Sequence, residues 1–249
     1  MQVSKPEDIE TAVRNYSPDV VVCPFLKTRV PESLFENKPP ILIMHPGIAG
    51  DRGASSLDWA ILERKKSWGV TVLEASADMD TGDIWSTGNF PVPYNATKTS
   101  LYNGCVSDVA VTCITDAVSR FCQSINPICP DKHSNEITGE LKRNMKQSDR
   151  KIDWSSTAEE IAVRVRMSDT TPGALVTLAH KHMDRIIRVF DAHVETPHNS
   201  EHVRNLLRKA KPGQPVARRH KSVLVKAGDE AGVWFGQMKE VCELRAQLK

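Results

Sequence analysis

No C-x-x-C pair occurs in this chain, and its six cysteines, Cys23, Cys105, Cys113, Cys122, Cys129 and Cys242, do not gather with histidines into a metal-ligand set. That argues against a zinc ribbon or a disulfide scaffold and leaves reduced thiols in a protein without a metal. Cys23, inside the apolar run DVVVCPF, reads as a small core residue rather than a nucleophile. No run approaches the roughly eighteen apolar residues of a membrane span, and the opening MQVSKPEDIE lacks the apolar stretch of a secretory signal. A cytoplasmic protein is therefore expected. Aromatic residues are few, at 6%, but 40% hydrophobic and 26% charged residues over 249 positions suffice to bury one large core or two ordinary ones.

Charge is uneven along the chain. Through Ile125 there are 11 Lys plus Arg against 15 Asp plus Glu, a net of −4; from Asn126 onward there are 22 against 16, a net of +6, and the two sum to the whole-chain +2. A basic second half is either a solvated surface or a contact for an anionic partner such as tRNA or a coenzyme phosphate.

Periodicity divides the chain. Ile9 and Val13 among charged residues predict a short helix over 6–16, with Glu7, Asp8 and Glu10 suited to the positive end of its dipole. Residues 19–24 form an apolar run, read as a buried strand, and the unit repeats as a short helix near 32–35, a strand at 41–44, a helix over 55–65 and a strand at 70–74. This alternation predicts an α/β domain on a Rossmann-like parallel sheet. Residues 84–93 read as a further strand or short hairpin that Pro91 and Pro93 confine to an edge. A long helix capped by Thr97 or Thr99 then runs through Val109, Cys113, Ala117 and Phe121.

The α/β domain is assigned to residues 1–125, a linker rich in turn-forming residues to 126–149, and a second domain to 150–249. In the second domain, Ser156 or Thr157 ahead of Glu159 and Glu160 is a capping signal for a helix. Short strands at 174–178, 186–194, 216–219, 222–226 and 233–237, interrupted by a basic stretch at 201–211 that is helix or loop, predict a small OB-like β-barrel.

Chemistry concentrates in residues 41–83. One strand delivers His45 to the loop HPGIAGDRG, and the next ends in the turn Asp80-Thr81-Gly82-Asp83. A histidine at the carboxyl end of one parallel strand and a carboxylate just beyond the next stand where α/β sheets bind ligands, and the pair suits acid–base work. Taken alone, a histidine at a strand end such as His45 is more often a hydrogen-bonded structural residue than a catalyst, and Asp80 and Asp83 also suit the plain closing of a turn. Gly47, Gly50 and Gly53 give the loop backbone its freedom.

The string HPGIAGDRGASSLDWAI, the following WGVTVLEA and the DTGD turn resemble the formyltetrahydrofolate-dependent formyltransferases. The resemblance is strongest to the formyltransferase half of hydrogenase maturation factors of the HypX/HoxX type, with methionyl-tRNA formyltransferase more distant. IDW, the Thr171-Pro172-Gly173 turn and VWFGQMK extend it into the second domain, which is a barrel in that family. The resemblance implies a strand and helix ahead of the point where this chain starts, so that an inner strand is missing and two sheet edges are left unpaired.

It further implies formyltetrahydrofolate as co-substrate, His45 as general acid–base, and Asp80 as the carboxylate that orients the histidine and sustains its charge. Ile43 occupies the position where the family places an asparagine that donates to the oxyanion. Isoleucine cannot donate, and loss of one such donor costs about 3 kcal/mol of transition-state stabilisation. The HypX-like branch shares the departure, so Ile43 marks a redirected reaction. The folate is expected between Pro24, Phe25, Leu26 and Thr28 on one side and Ala75, Ser76, Ala77, Asp78 and Met79 on the other, with Phe25 and Leu26 equally readable as core. Arg52 and Gly53 are candidates for meeting coenzyme A or another anionic acceptor, with plain solvation as the alternative for Arg52. An enoyl-CoA hydratase-like partner on a separate chain is a further candidate. The competing readings are a methionyl-tRNA formyltransferase-like enzyme and a non-catalytic folate-binding or interaction module.

Overall fold

The structure, a computed structural model, describes residues 5–26, 28–35, 39–130, 137–180, 183–195 and 200–240. They fall into two compact units: Met1–Ala60 with Lys65–Pro93 and Ser100–Asn144, and Ile61–Arg64 with Tyr94–Thr99 and Met145–Lys249. No helix among the described residues is long and apolar enough to cross a membrane.

The first unit opens with α1 (Pro6–Tyr16), which starts on proline, carries Glu7 and Asp8 in its first turn, and buries Ile9 and Val13 against Val30, Leu34 and Ile41. Then come β1 (Val21–Cys23), a 3-10 turn (Glu32–Leu34), β2 (Ile41–His45), α2 (Ser56–Leu62), β3 (Ser67–Glu74) and β4 (Ile84–Pro91). The four strands form one sheet in the order β1-β2-β3-β4, so the proline-ended β4 is at an edge, as its composition predicts. A helical stretch follows, formed by α3 (Lys98–Leu101), a π turn (Tyr102–Val106) and α4 (Ser107–Cys122). Cys113 and Ala117 of α4 pack on Leu42, Val72 and Trp85. Burial pushes the Cys23 and Cys113 thiols up, away from the thiolate a nucleophile needs.

The expected α/β architecture stands, but strand direction differs. Only β1 and β2 are parallel; β3 runs against both β2 and β4. The reason is length. The two turns of α2 span about 10 Å, short of the roughly 16 Å needed to retrace β2, so the chain re-enters the sheet at the end where it left. Within the expected linker, 126–149, two described residues make backbone bridges. Ile128 bridges to Ile84, and Leu141 bridges to Arg52.

The second unit holds α5 (Ala158–Met167), β5 (Ala174–His180), β6 (Met183–Val194), α6 (Glu201–Lys209), β7 (Pro215–Arg219), β8 (Ser222–Lys226) and β9 (Gly232–Glu240). Its sheet is antiparallel in the order β5-β6-β9-β8-β7. Among the described residues β5 and β7 do not pair, so the expected barrel is an open sheet. Its core is completed by a helix. Ile161, Ala162 and Val165 of α5 bury against Val176, Val189, Val233 and Phe235, a second layer that makes closure of the sheet unnecessary.

Thr157 is the N-cap of α5. Its hydroxyl accepts from the Glu160 N–H at 3.3 Å, and the Glu160 carboxylate accepts from the Thr157 N–H at 2.8 Å and hydroxyl at 2.9 Å. The backbone N–H of Thr157, and then its hydroxyl, hold the Glu160 carboxyl below its usual range. That contribution is complete above the ordinary carboxylate pKa and is lost as pH falls through the lowered one. Thr157→Ala is expected to cost the second unit about 1 kcal/mol near neutral pH, with a smaller difference in acid, as read by denaturant unfolding at both pH values.

Candidate active site

β2 places Ile41, Ile43 and His45 on one face by the two-residue period of a strand. The loop beyond His45 is pinned at its start. Thr71, opposite His45 on β3, donates its hydroxyl to Gly47 O at 2.9 Å, while Pro46 O accepts from Ser56 Oγ at 2.7 Å and Trp68 Nε1 at 3.1 Å. A tight turn, with the Asp51 N–H donating to Ile48 O at 2.9 Å, returns the loop toward the histidine.

His45 lies between two carboxylates. Its Nε2 is 2.8 Å from Asp51 Oδ2, and its Nδ1 is 3.5 Å from Asp80 Oδ2. The three side chains are 6% (His45), 1% (Asp51) and 10% (Asp80) exposed, so the group is nearly closed to bulk water. Gly47 makes the first contact possible, because a Cβ there would overlap both Asp51 Oδ2 and His45 Nε2.

Asp80 reaches His45 by a different route from the one its strand order implies. β3 is antiparallel, so its end, Glu74, pairs with Leu42, and Ala75 N–H donates to Ile41 O at 2.7 Å. The loop 75–83 therefore runs back along β2, roughly 10 Å by strand geometry. The loop is braced internally, with Ser76 Oγ donating to Asp78 O at 2.9 Å, Thr81 Oγ1 to Asp78 O at 3.0 Å, and Glu74 N–H to Asp83 O at 2.9 Å. Asp80 itself has φ 57, a left-handed conformation uncommon outside glycine. Its Oδ2 also accepts the Gly53 N–H at 3.0 Å. The structure thus joins His45, Asp80 and Gly53.

Ile43 is half-buried, in register with Cys23 and Leu73, in an apolar row. Arg52 is also half-buried, and its backbone pairs with the 140–142 segment. The two expected folate loops are adjacent, since Arg29 Nη2 donates to Ala77 O at 2.6 Å. Phe25 and Met79 are large apolar side chains of these loops, 59% and 64% exposed, and the Phe25 ring meets Tyr102 edge-on at 5.9 Å. Leu26 and Ala75 instead pack on the α1 core. Among the expected residues Pro24 is exposed and Thr28 half-buried.

Three parts of this site escape sequence reasoning. Asp51 stands in the quoted loop but six residues from His45, a spacing with no regular period. Arg29 follows the expected Thr28 by one position. The third is Gly139–Lys142, which composition assigns to a linker. Gly139 N–H donates to Ala49 O at 2.9 Å, Arg52 N–H to Glu140 O at 3.3 Å, and Lys142 N–H to Arg52 O at 3.1 Å.

A mixed sheet with a buried histidine at the end of β2 beside an aspartate from the loop after β3, with an antiparallel unit later in the chain, is the architecture of the formyl transferases. The chain fits the family model described as Formyl transferase over residues 2–118 and that of the Formyl transferase C-terminal domain over 144–245, and it belongs to the formyl transferase family. Within that family it is similar to the hydrogenase maturation factor HoxX of Bradyrhizobium diazoefficiens, 31% identical over 238 residues, which are 95% of this chain and 39% of that protein. The crystal structure of HypX from Aquifex aeolicus in complex with tetrahydrofolic acid superposes with a TM-score of 0.79 at 33% identity, over 95% of this chain and 38% of that one. A methionyl-tRNA formyltransferase from Citrifermentans bemidjiense is 27% identical over 192 residues, 76% of this chain and 58% of that enzyme. The chain thus spans about two fifths of the length of the maturation factors it matches.

Proposed function

We propose that this chain transfers a formyl group taken from formyltetrahydrofolate, handling it in the manner of the HypX/HoxX-type factors, with His45 as general acid–base and Asp80 as the carboxylate that orients and charge-balances it. The observation that carries this reading is the buried pairing of His45 Nδ1 with Asp80 at 3.5 Å, made by an aspartate held at φ 57. An uncommon backbone conformation kept beside a buried histidine is the kind of strain that clusters at working sites.

The donor supplies its one-carbon unit as the acceptor's nucleophile adds to the formyl carbon, the bond from that carbon to the folate nitrogen breaks, and the acceptor's proton ends on that nitrogen. His45 takes and returns the proton, and Asp80 offsets the positive charge that the ring gains on the way. Phe25 and Met79, exposed on the two loops that Arg29 ties together, suit the flat apolar part of a folate. The backbone of residues 75–79 offers the polar groups for its edge. Support for a folate as the ligand comes from the 33%-identical HypX, which was crystallised with tetrahydrofolic acid. Arg52 and Gly53 are the residues proposed to meet an anionic acceptor such as coenzyme A.

The basic second half favours a second reading, a methionyl-tRNA formyltransferase-like activity. Ile43 stands against it, because an amine acceptor needs the oxyanion donor that isoleucine cannot provide. The purified chain should be given formyltetrahydrofolate alone, with coenzyme A, and with charged initiator tRNA, following donor loss and formylated product. Donor consumption with coenzyme A and little product on tRNA is the expected result. A folded protein that binds tetrahydrofolate and consumes no donor under any condition would leave the non-catalytic folate-binding module as the better description. An enoyl-CoA hydratase-like partner that acts on the product belongs to the same proposal.

A further inference from the structure

The reaction above assigns nothing to Asp51, the most deeply buried of the charged side chains around His45. We infer that Asp51 is a positioning residue. It holds the His45 imidazole through Nε2 and so makes Nδ1 the nitrogen that exchanges protons. This rests on the reading of His45 as the acid–base.

Asp51 Oδ2 lies 2.8 Å from Nε2, a full hydrogen-bond distance, and its side chain is 1% exposed. Asp80 Oδ2 lies 3.5 Å from Nδ1, beyond a good N–H···O bond, and its side chain is 10% exposed. The closed contact is therefore at Nε2 and the looser, more open one at Nδ1. In the neutral ring one nitrogen donates and the other accepts. With the Nε2 proton given to Asp51, the lone pair stays at Nδ1, where proton uptake converts an unfavourable lone-pair contact with Asp80 into an N–H facing a carboxylate. A histidine whose second nitrogen is fixed by a buried group is the usual construction of a directed acid–base.

The local sequence is built to permit the contact. Gly47 leaves the space that a methyl group would fill between Asp51 and His45, and the Asp51 N–H closes the turn onto Ile48 O. The charged groups that face His45 come from two elements, Asp51 from the loop after β2 and Asp80 from the loop after β3, with Thr71 of β3 beside it in register.

The test uses the full chain with 15N-labelled histidine and the variants Asp51→Asn and Gly47→Ala. Asp51→Asn keeps shape and removes charge; Gly47→Ala keeps both partners and forces them apart. The wild type should show an exchange-protected His45 Nε2 proton, assigned by its absence in His45→Gln. Gly47→Ala should lose that resonance, and Asp51→Asn, whose amide oxygen still accepts from Nε2, should shift it, with both variants folded by circular dichroism. Both should also lower kcat for donor consumption at least about tenfold, with the donor KM held within about twofold, as expected for a group acting on chemistry rather than binding. A folded Gly47→Ala that keeps the protected Nε2 proton unchanged, or a folded Asp51→Asn that keeps wild-type kcat, overturns the inference. Because the resonance needs no turnover, a wild type that shows it and consumes no donor overturns the reading of His45 as acid–base and with it Nδ1 as the working nitrogen, while identifying the Asp51 contact as structural.

Discussion

Asp80→Asn is expected to lower turnover of formyltetrahydrofolate on the order of a hundredfold to ten-thousandfold without unfolding the chain. Asparagine has the shape of aspartate and is among the few side chains that tolerate φ near 57, so the backbone of the turn is kept. Its amide oxygen can still accept the Gly53 N–H that Asp80 Oδ2 receives at 3.0 Å. What disappears is the negative charge 3.5 Å from His45 Nδ1. In a site where His45 is 6% exposed, water cannot replace that charge when the ring takes up a proton. The measurement is kcat for donor loss beside thermal unfolding of both proteins. Equal kcat in the two would remove Asp80 from the chemistry. A His45→Gln, Asp80→Asn double variant supplies a second check: residues acting as one unit give a double loss no larger than the worse single one.

How far the sequence reaches is clearest in this same site. The motif around His45 and the DTGD turn is legible because each is a short contiguous string with its chemistry attached. The apolar periods likewise predict β2, β3, α5 and the five C-terminal strands close to where they form. The direction of β3 is not legible, since an alternation of strand and helix looks the same whether the helix is long enough to cross the sheet or, like the seven residues of α2, too short. Asp51 is hidden for a related reason. Its approach to His45 depends on a turn, on Gly47 having no side chain and on Pro46 O being held by Ser56 and Trp68, none of which leaves a periodic signal. In the second unit, five short strands predict a barrel only if nothing else covers the sheet, and α5 does.

The segment holding Gly139, within the expected linker, carries the largest stability effect expected here. Gly139→Ala is expected to destabilise the first unit by about 3 kcal/mol. A Cβ at Gly139 would overlap Asp51 N and Cα and Gly50 C, all backbone atoms that cannot turn aside as a side chain would. Relief requires the 139–142 segment to lift. That movement breaks the three backbone bonds that join it to Ala49 and Arg52, each worth about 1 kcal/mol net. It also strains the grip on Trp59, whose Nε1 donates to Arg143 O at 2.8 Å and whose ring lies under Arg143 at 5.1 Å. Gly104→Ala is the control, because a Cβ there meets nothing within 4 Å. Denaturant unfolding reads the size of the effect, and hydrogen exchange at the amides of Gly139, Arg52 and Lys142 reads its place. Because the segment clamps the loop on both sides of Asp51, lost protection at these amides should be accompanied by lost turnover. Lost protection with turnover intact would mean that Gly47, Thr71 and the Pro46 anchors hold Asp51 against His45 unaided, and that the segment serves stability alone.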